Sequence, residues 1–304
     1  MKFKTIIKFI ILVAIFYALL AFNVFQIGEK LAPKAKDYTQ IPQSIIENDR
    51  EEETWVDINE NTTGHFATTP VMDKESLCNN TNICDKIAFD GVFSDNEKYA
   101  YIRILGKIFQ FIDKYSTQDQ DIRSTINTIQ ISKKNGQRRG YATRDTIVLN
   151  LWSVKSKTEF GELSSHEMGH ITDLGYIQGT ASKKDKLYTE FGKIVFAIDD
   201  ISITYYKLSW DQENIRKAEA KKKDFCSGYG MTDPFEDFAE CFNLYVNHNS
   251  MFRHIAQNND TLKEKYNFIA GLFDGGYLSE RSQDVELLQK DITRRPRDTT
   301  KLTN

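Results

Sequence analysis

The chain has no stripe of basic residues interleaved with aromatics, and its formal net charge is only −3 over 304 residues. A nucleic-acid partner requires a basic footprint, so none is expected. No segment recurs at a fixed period, which sets aside solenoids and propellers. There are four cysteines, and none closely follows the N-terminal apolar run, so a lipoprotein anchor is not indicated. Histidine is nearly as sparse, at five. The remainder, 40% hydrophobic and 27% charged, is enough for one good-sized domain with extensions.

Two of the five histidines fall in Ser165-His166-Glu167-Met168-Gly169-His170, an H-E-x-x-H pattern in a segment that reads as helix from Glu159 onward. With so few histidines, chance yields this pattern in roughly one in a hundred sequences of such composition, or fewer. Positions four apart lie one above the other on a helix face, so His166 and His170 can reach a single metal ion. Glu167 is rotated to one side, where its carboxylate can act as base for a zinc-bound water without filling the open position. The plain alternative is a pair of half-buried polar residues on an amphipathic helix.

A second motif offers a third ligand. Asp233-Pro234 opens a helix on which Phe235, Phe238, Ala239, Phe242 and Tyr245 recur at helical spacing. Glu236 and Glu240 share one face of it, flanking positions that should meet a core, and acids so placed need a partner. His-His-Glu plus water is a standard catalytic zinc set, so Glu236 is the expected ligand and Glu240 the expected brace for a histidine. An ordinary solvated acidic face is the competing reading. The metzincin extension is excluded, because its glycine position holds Asp173 and its last histidine position Tyr176. The inverted H-x-x-E-H order is absent too. Asp173, one turn beyond His170, is a second candidate for fixing an imidazole tautomer.

His166 to Asp173, HEMGHITD, followed downstream by Glu236 to Phe242, EDFAECF, resembles the gluzincin metallopeptidases. Within them it is similar to the group of the anthrax-toxin lethal factor catalytic domain and the secreted Pro-Pro endopeptidases. The resemblance extends from about Phe93 to Phe273 in motif order alone. It implies that the first glutamate of the E-x-F-A-E helix, Glu236, is the third zinc ligand. It also implies that a tyrosine seven positions earlier, Tyr229 in Ser227-Gly228-Tyr229-Gly230, assists the reaction. The segment between the two helices is longer here than in the secreted enzymes, so substrate preference does not carry over.

Lys2, Lys4 and Lys8 precede the apolar run Phe9 to Phe25, which is close to bilayer-spanning length. The charges favour a cytoplasmic N-terminus and export of the chain beyond the apolar run. Residues 1–26 are thus expected to be an uncleaved anchor, the alternative being cleavage near Ala18 or Ala21 and a secreted or periplasmic product. Residues 27–73 read as an acidic linker, 74–280 as the catalytic domain and 281–304 as a polar tail, short, basic and frayed from about Asp291. In an exported chain four cysteines suggest two disulfides. Cys78 and Cys84 are close enough to staple a loop, which leaves Cys226 for Cys241; two other pairings stay open.

Within the domain the expected order is helix (96–114), a hairpin of strands 125–134 and 146–152 turning at Asn135-Gly136, the motif helix, a charged helical insert (183–224) and two further helices. Gly140 to Thr143 is a candidate edge strand beside the metal, where an extended substrate could pair. The expected fold is therefore α+β: a small zincin-like lobe followed by a mainly helical lobe carrying the third ligand. The expected function is a membrane-anchored, extracytoplasmic zinc endopeptidase acting on a peptide or protein. An inactive zincin-like binding or scaffold domain of the envelope is the alternative.

Overall fold

The periodic run after Phe93 forms a helix, α1 (Asp95–Tyr115), as its spacing predicts. Its start is fixed by a capping box in which the Ser94 side chain accepts from Glu97 N and the Glu97 carboxylate accepts from Ser94 N. The computed structural model describes residue 78 and residues 83–118, 121–135, 138–278 and 296–302. The expected anchor and acidic linker lie outside these residues. Among the described residues no helix is long and apolar enough to cross a membrane.

The described part is α+β, with one small mixed sheet. Strand β1 (Ile87–Asp90) leads into α1, then a short helix α2 (Ile122–Thr125), then β2 (Thr128–Ser132) parallel to β1. A helical crossover is how two parallel neighbours are normally joined. Strand β3 (Gly140–Ala142) turns back through Arg144 and Asp145 into β4 (Thr146–Asn150), with Thr143 N donating to Thr146 O. The order across the sheet is β1-β2-β4-β3.

This corrects the expected hairpin. The strands at 128–132 and 146–150 are neighbours but run parallel, so no tight turn can join them. The chain instead crosses to the far side of β4, adds the edge strand β3 and only then enters β4. The Gly140 to Thr143 stretch does form that edge, while Trp152 leaves the sheet in a short 3-10 turn (Leu151–Ser153).

The motif helix α3 (Lys157–Ile171) follows, capped by Ser156, whose side chain accepts from Glu159 N. It widens at its end into a single turn (Thr172–Tyr176) with a bond from Ile177 N to Thr172 O, five residues apart. The insert is not the helical segment its charge pattern suggests. It holds one short helix, α4 (Ser202–Tyr206), and a two-stranded ribbon, β5 (Trp210–Gln212) with β6 (Ile215–Arg216). The rest is loop pinned by acids: Asp199 accepts from Thr180 N and Ala181 N, and Glu213 from Thr189 N and Phe191 N.

Helices α5 (Pro234–Asn247), α6 (Asn249–Gln257) and α7 (Asp260–Leu272) complete the body. Phe160, Phe238 and Phe242 are fully buried in the core that α3 and α5 share. Each such ring contributes about 1.5–3 kcal/mol on burial, enough to carry polar neighbours on the same helices into the interior. Gly169 marks the closest approach: a Cβ there would lie 2.9 Å from the Cα of Ala239. The tail corrects another expectation. Residues 296–302 do not fray but pack back on the body, with Thr299 and Thr300 buried.

Candidate metal centre

The contact between Gly169 and Ala239 sits within one turn of His166, His170, Glu236 and Glu240, and it sets their meeting. On α3, the rings of His166 and His170 meet edge to face with centroids 5.0 Å apart and are nearly excluded from solvent. On α5, Asp233 is the N-cap, its side chain accepting from Phe235 N and Glu236 N, with Pro234 at the first helical position. That cap brings Glu236 onto the face opposite the imidazoles. Its Oε2 lies 3.2 Å from Nε2 of His166 and 3.4 Å from Nε2 of His170. One donor atom from each of the three residues falls within 4.8 Å of the other two.

Glu240, a turn further on and fully buried, takes the other side of His166: Nδ1 lies 2.9 Å from Glu240 Oε1. The two are within ion-pair distance, and neither atom has an aligned hydrogen-bonding partner among the described residues. The two glutamates thus lie on opposite sides of the His166 ring. Asp173 behaves otherwise. Its Oδ2 accepts from the Tyr206 hydroxyl at 2.6 Å, and it makes no hydrogen bond to either imidazole among the described residues. It lies in the widened turn after Ile171, which directs its carboxylate to α4, and burial pushes its pKa up to about 7.

Glu167 is buried beside the histidines and against the sheet edge. A Cβ at position 140 would collide with its carboxylate, so only glycine lets β3 lie this close to it. Burial raises the Glu167 pKa, against the pull of His166 and His170. For Glu236 burial has the same tendency, but the His170 charge and the nearness of both imidazoles outweigh it and hold the carboxyl well below its ordinary range. Burial would lower His166; Glu236 and Glu240 together raise it well above the usual imidazole value. The pocket thus favours positive charge among its three donor atoms.

A cation suits the residues present. Oε2 of Glu236 and Oε2 of Glu167 are both buried with no aligned hydrogen-bond donor among the described residues, a costly state unless positive charge offsets it. Two imidazole nitrogens and one carboxylate oxygen form a donor set that divalent metals accept. The His166-His170-Glu236 group can therefore hold a metal ion.

Tyr229 stands at the rim of the cluster in the 3-10 turn Tyr229–Met231. Its hydroxyl donates to Glu236 Oε1 at 2.8 Å and its ring lies 6.1 Å from that of His166. Burial and the Glu236 carboxylate raise its pKa. The Cys226–Cys241 disulfide ties this loop to α5, and Cys78 is bonded to Cys84, the pairing that the short spacing of Cys78 and Cys84 favours.

Sequence reasoning missed two supports. Arg139, just before β3, bonds Glu159 of α3 and donates to Thr300 Oγ1 at 2.6 Å. The segment 296–302 then braces the site from outside: Thr299 N donates to Glu240 Oε2 at 2.8 Å, and Tyr229 N to Arg297 O at 2.8 Å. No local pattern announces such a strap, since its residues read as any polar tail.

The open edge of the sheet faces this pocket. Bonds from Asn150 N to Arg139 O and from Thr143 N to Thr146 O bracket β3. In an antiparallel ladder alternate residues turn toward the partner. The N–H and C=O of Gly140 and Ala142 therefore point away from β4, at the edge where no further strand pairs among the described residues. The cleft between this edge and the wall around Phe191 and Phe235 has a volume of about 440 Å³ and contains His166, Glu167, His170, Tyr229 and Glu236. No protein-family model matches the chain, and neither a curated protein nor a solved structure does, so function has to be read from this geometry alone.

Proposed function

We propose that the chain is a zinc-dependent endopeptidase of the gluzincin type. The observation that carries this reading is the convergence of His166, His170 and Glu236 with a buried carboxylate, Glu167, alongside and an open strand edge in the same cleft. A structural metal site has no use for a general base. Zinc is commonly held by such a donor set with one position left free, and it lowers the pKa of a water carried there towards about 7.

In this reading His166, His170 and Glu236 hold the ion. Glu240, whose Oε1 lies 2.9 Å from Nδ1 of His166, would accept from it and so favour the tautomer that leaves Nε2 free for the metal. Glu167 accepts the proton of the attacking water and returns it to the leaving amine. The substrate main chain pairs with Gly140 and Ala142 as an added strand. Tyr229, whose hydroxyl is already within the cluster, donates to the oxyanion as it forms. Two disulfides suit an oxidising compartment, and the run Phe9 to Phe25 anchors the protein with this domain outside the cytoplasm.

Glu167→Gln tests the assignment. The amide fills the same volume but cannot accept the proton, so the purified full chain should keep its zinc and lose cleavage of a mixed peptide library. Turnover comparable to the unsubstituted protein would remove Glu167 as base.

A further inference from the structure

The strand edge that leaves Glu167 at Gly140 runs on past Ala142 into a second, larger cavity of about 820 Å³. Its floor is the end of β3 and the turn to β4. Its far wall is the loop 183–198, held as an irregular hairpin by bonds from Asp185 N to Phe196 O and from Ile198 N to Lys183 O. The two cavities share Arg138, Tyr141, Ala142, Glu190 and Lys193, so they form one continuous cleft.

The charge of the second cavity is lopsided. Arg138, Arg144, Lys184 and Lys193 line it against two acids, Asp145 and Glu190. Asp145 is already engaged, accepting from Asn127 Nδ2, Thr143 Oγ1 and Thr146 Oγ1. Lys193 is the cation nearest in effect to Glu190, while Arg144 spends its Nε on Leu174 O. The side chains of Arg138 and Lys184 form neither a hydrogen bond nor an ion pair among the described residues, and they reach the cavity from separate segments, one leading into β3 and the other on the hairpin. Exposed Tyr141 and Val195 supply apolar surface between them.

We propose that this extension is a specificity subsite for an acidic side chain, so that the preferred substrates are peptides carrying Asp or Glu close to the scissile bond. The proposal rests on the peptidase reading. A strand added to β3 advances about 3.3 Å per residue, which sets a side chain level with Arg138 and Lys184 two to three residues from the bond beside Glu167. Two such cations lining one cavity are complementary to one carboxylate and repel a basic residue at the same position.

The test is a digest of a randomised peptide library by the full chain in detergent, with the cut products sequenced. Asp and Glu should be enriched, and Lys and Arg depleted, at a position two to three residues from the cut. The double substitution Arg138→Glu, Lys184→Glu should lower kcat/KM for an acidic peptide about tenfold through KM, as two exposed ion pairs would, and raise it for the matched lysine peptide. Zinc content and kcat should stay near those of the unsubstituted chain, since both side chains are exposed and neither touches the cluster. Cleavage with no acidic preference, or a preference that charge reversal leaves in place, would overturn the subsite and leave the peptidase standing. No cleavage of any library member would overturn the peptidase reading, and the subsite with it.

Discussion

The helix pair α3 and α5 and the irregular walls around it, residues 179–233 and 296–302, build the same site by different means. The pair is regular: a period of 3.6 aligns His166 with His170 and Glu236 with Glu240, and a glycine against an alanine brings the two faces together. The walls have little regular structure. Side-chain bonds to distant residues hold them, as with Asp199 on 180–181, Glu213 on 189–191 and the strap on Glu240. The difference teaches that the donor atoms come from periodicity, whereas their aim and the cleft shape come from contacts with no local signature.

The largest expected effect comes from cutting the bond that attaches wall to pair. Lys265 of α7 bridges the two: it donates to Asp224 O in the wall at 2.9 Å and forms with Asp237 of α5 an ion pair from which solvent is wholly excluded, and Asp237 also accepts from Trp210 Nε1 in the insert. Burial disfavours the charge on both, and each charge in turn favours the other. Lys265→Met strands the carboxylate, which should cost about 3–5 kcal/mol in denaturant unfolding. A loss under about 1 kcal/mol would mean that the walls stand without this attachment.

Tyr229 probes the wall's share in the chemistry. Tyr229→Phe keeps the ring and removes the hydroxyl that reaches Glu236. On a cleavable peptide, kcat should fall on the order of 10²- to 10³-fold with KM and zinc content little changed. An unchanged kcat would confine the chemistry to the helix pair.

Pair and walls also differ in how far the sequence reveals them. The His166, His170 and Glu236 group that could hold a metal, and Glu240 beside His166, are legible because each pair sits a whole turn apart on an amphipathic helix. The same argument misplaces Asp173, because the helix widens after Ile171 and carries its carboxylate to Tyr206. The sheet is legible only in part: β2, β4 and the edge β3 read as strands, whereas β1 is only four residues long and its parallel pairing with β2 is fixed by the crossover through α1. The insert's charged residues suggest a helix, yet its acids serve as loop staples. The strap reads as a fraying end because nothing local distinguishes Asp298-Thr299-Thr300 from a solvated terminus.

The strap should show the smallest effect. Thr299 opens a short 3-10 turn after an extended residue, Asp298, where proline fits the backbone. Thr299→Pro removes the N–H that Glu240 Oε2 accepts and should weaken zinc binding by about tenfold, the lower end for loss of a group that orients a ligand. Thr299→Ala keeps that N–H and should bind zinc nearly as well. Equal affinities in the two variants would make the strap a passive cover.

The most direct test is metal content of the purified full chain, measured beside His170→Ala, Glu236→Ala and Glu240→Ala. One zinc per chain is expected for the parent, close to none for His170→Ala and Glu236→Ala, and retention with affinity weakened about 10- to 100-fold for Glu240→Ala. A parent chain that takes up no zinc, or a site emptied by Glu240→Ala but not by Glu236→Ala, would contradict the account.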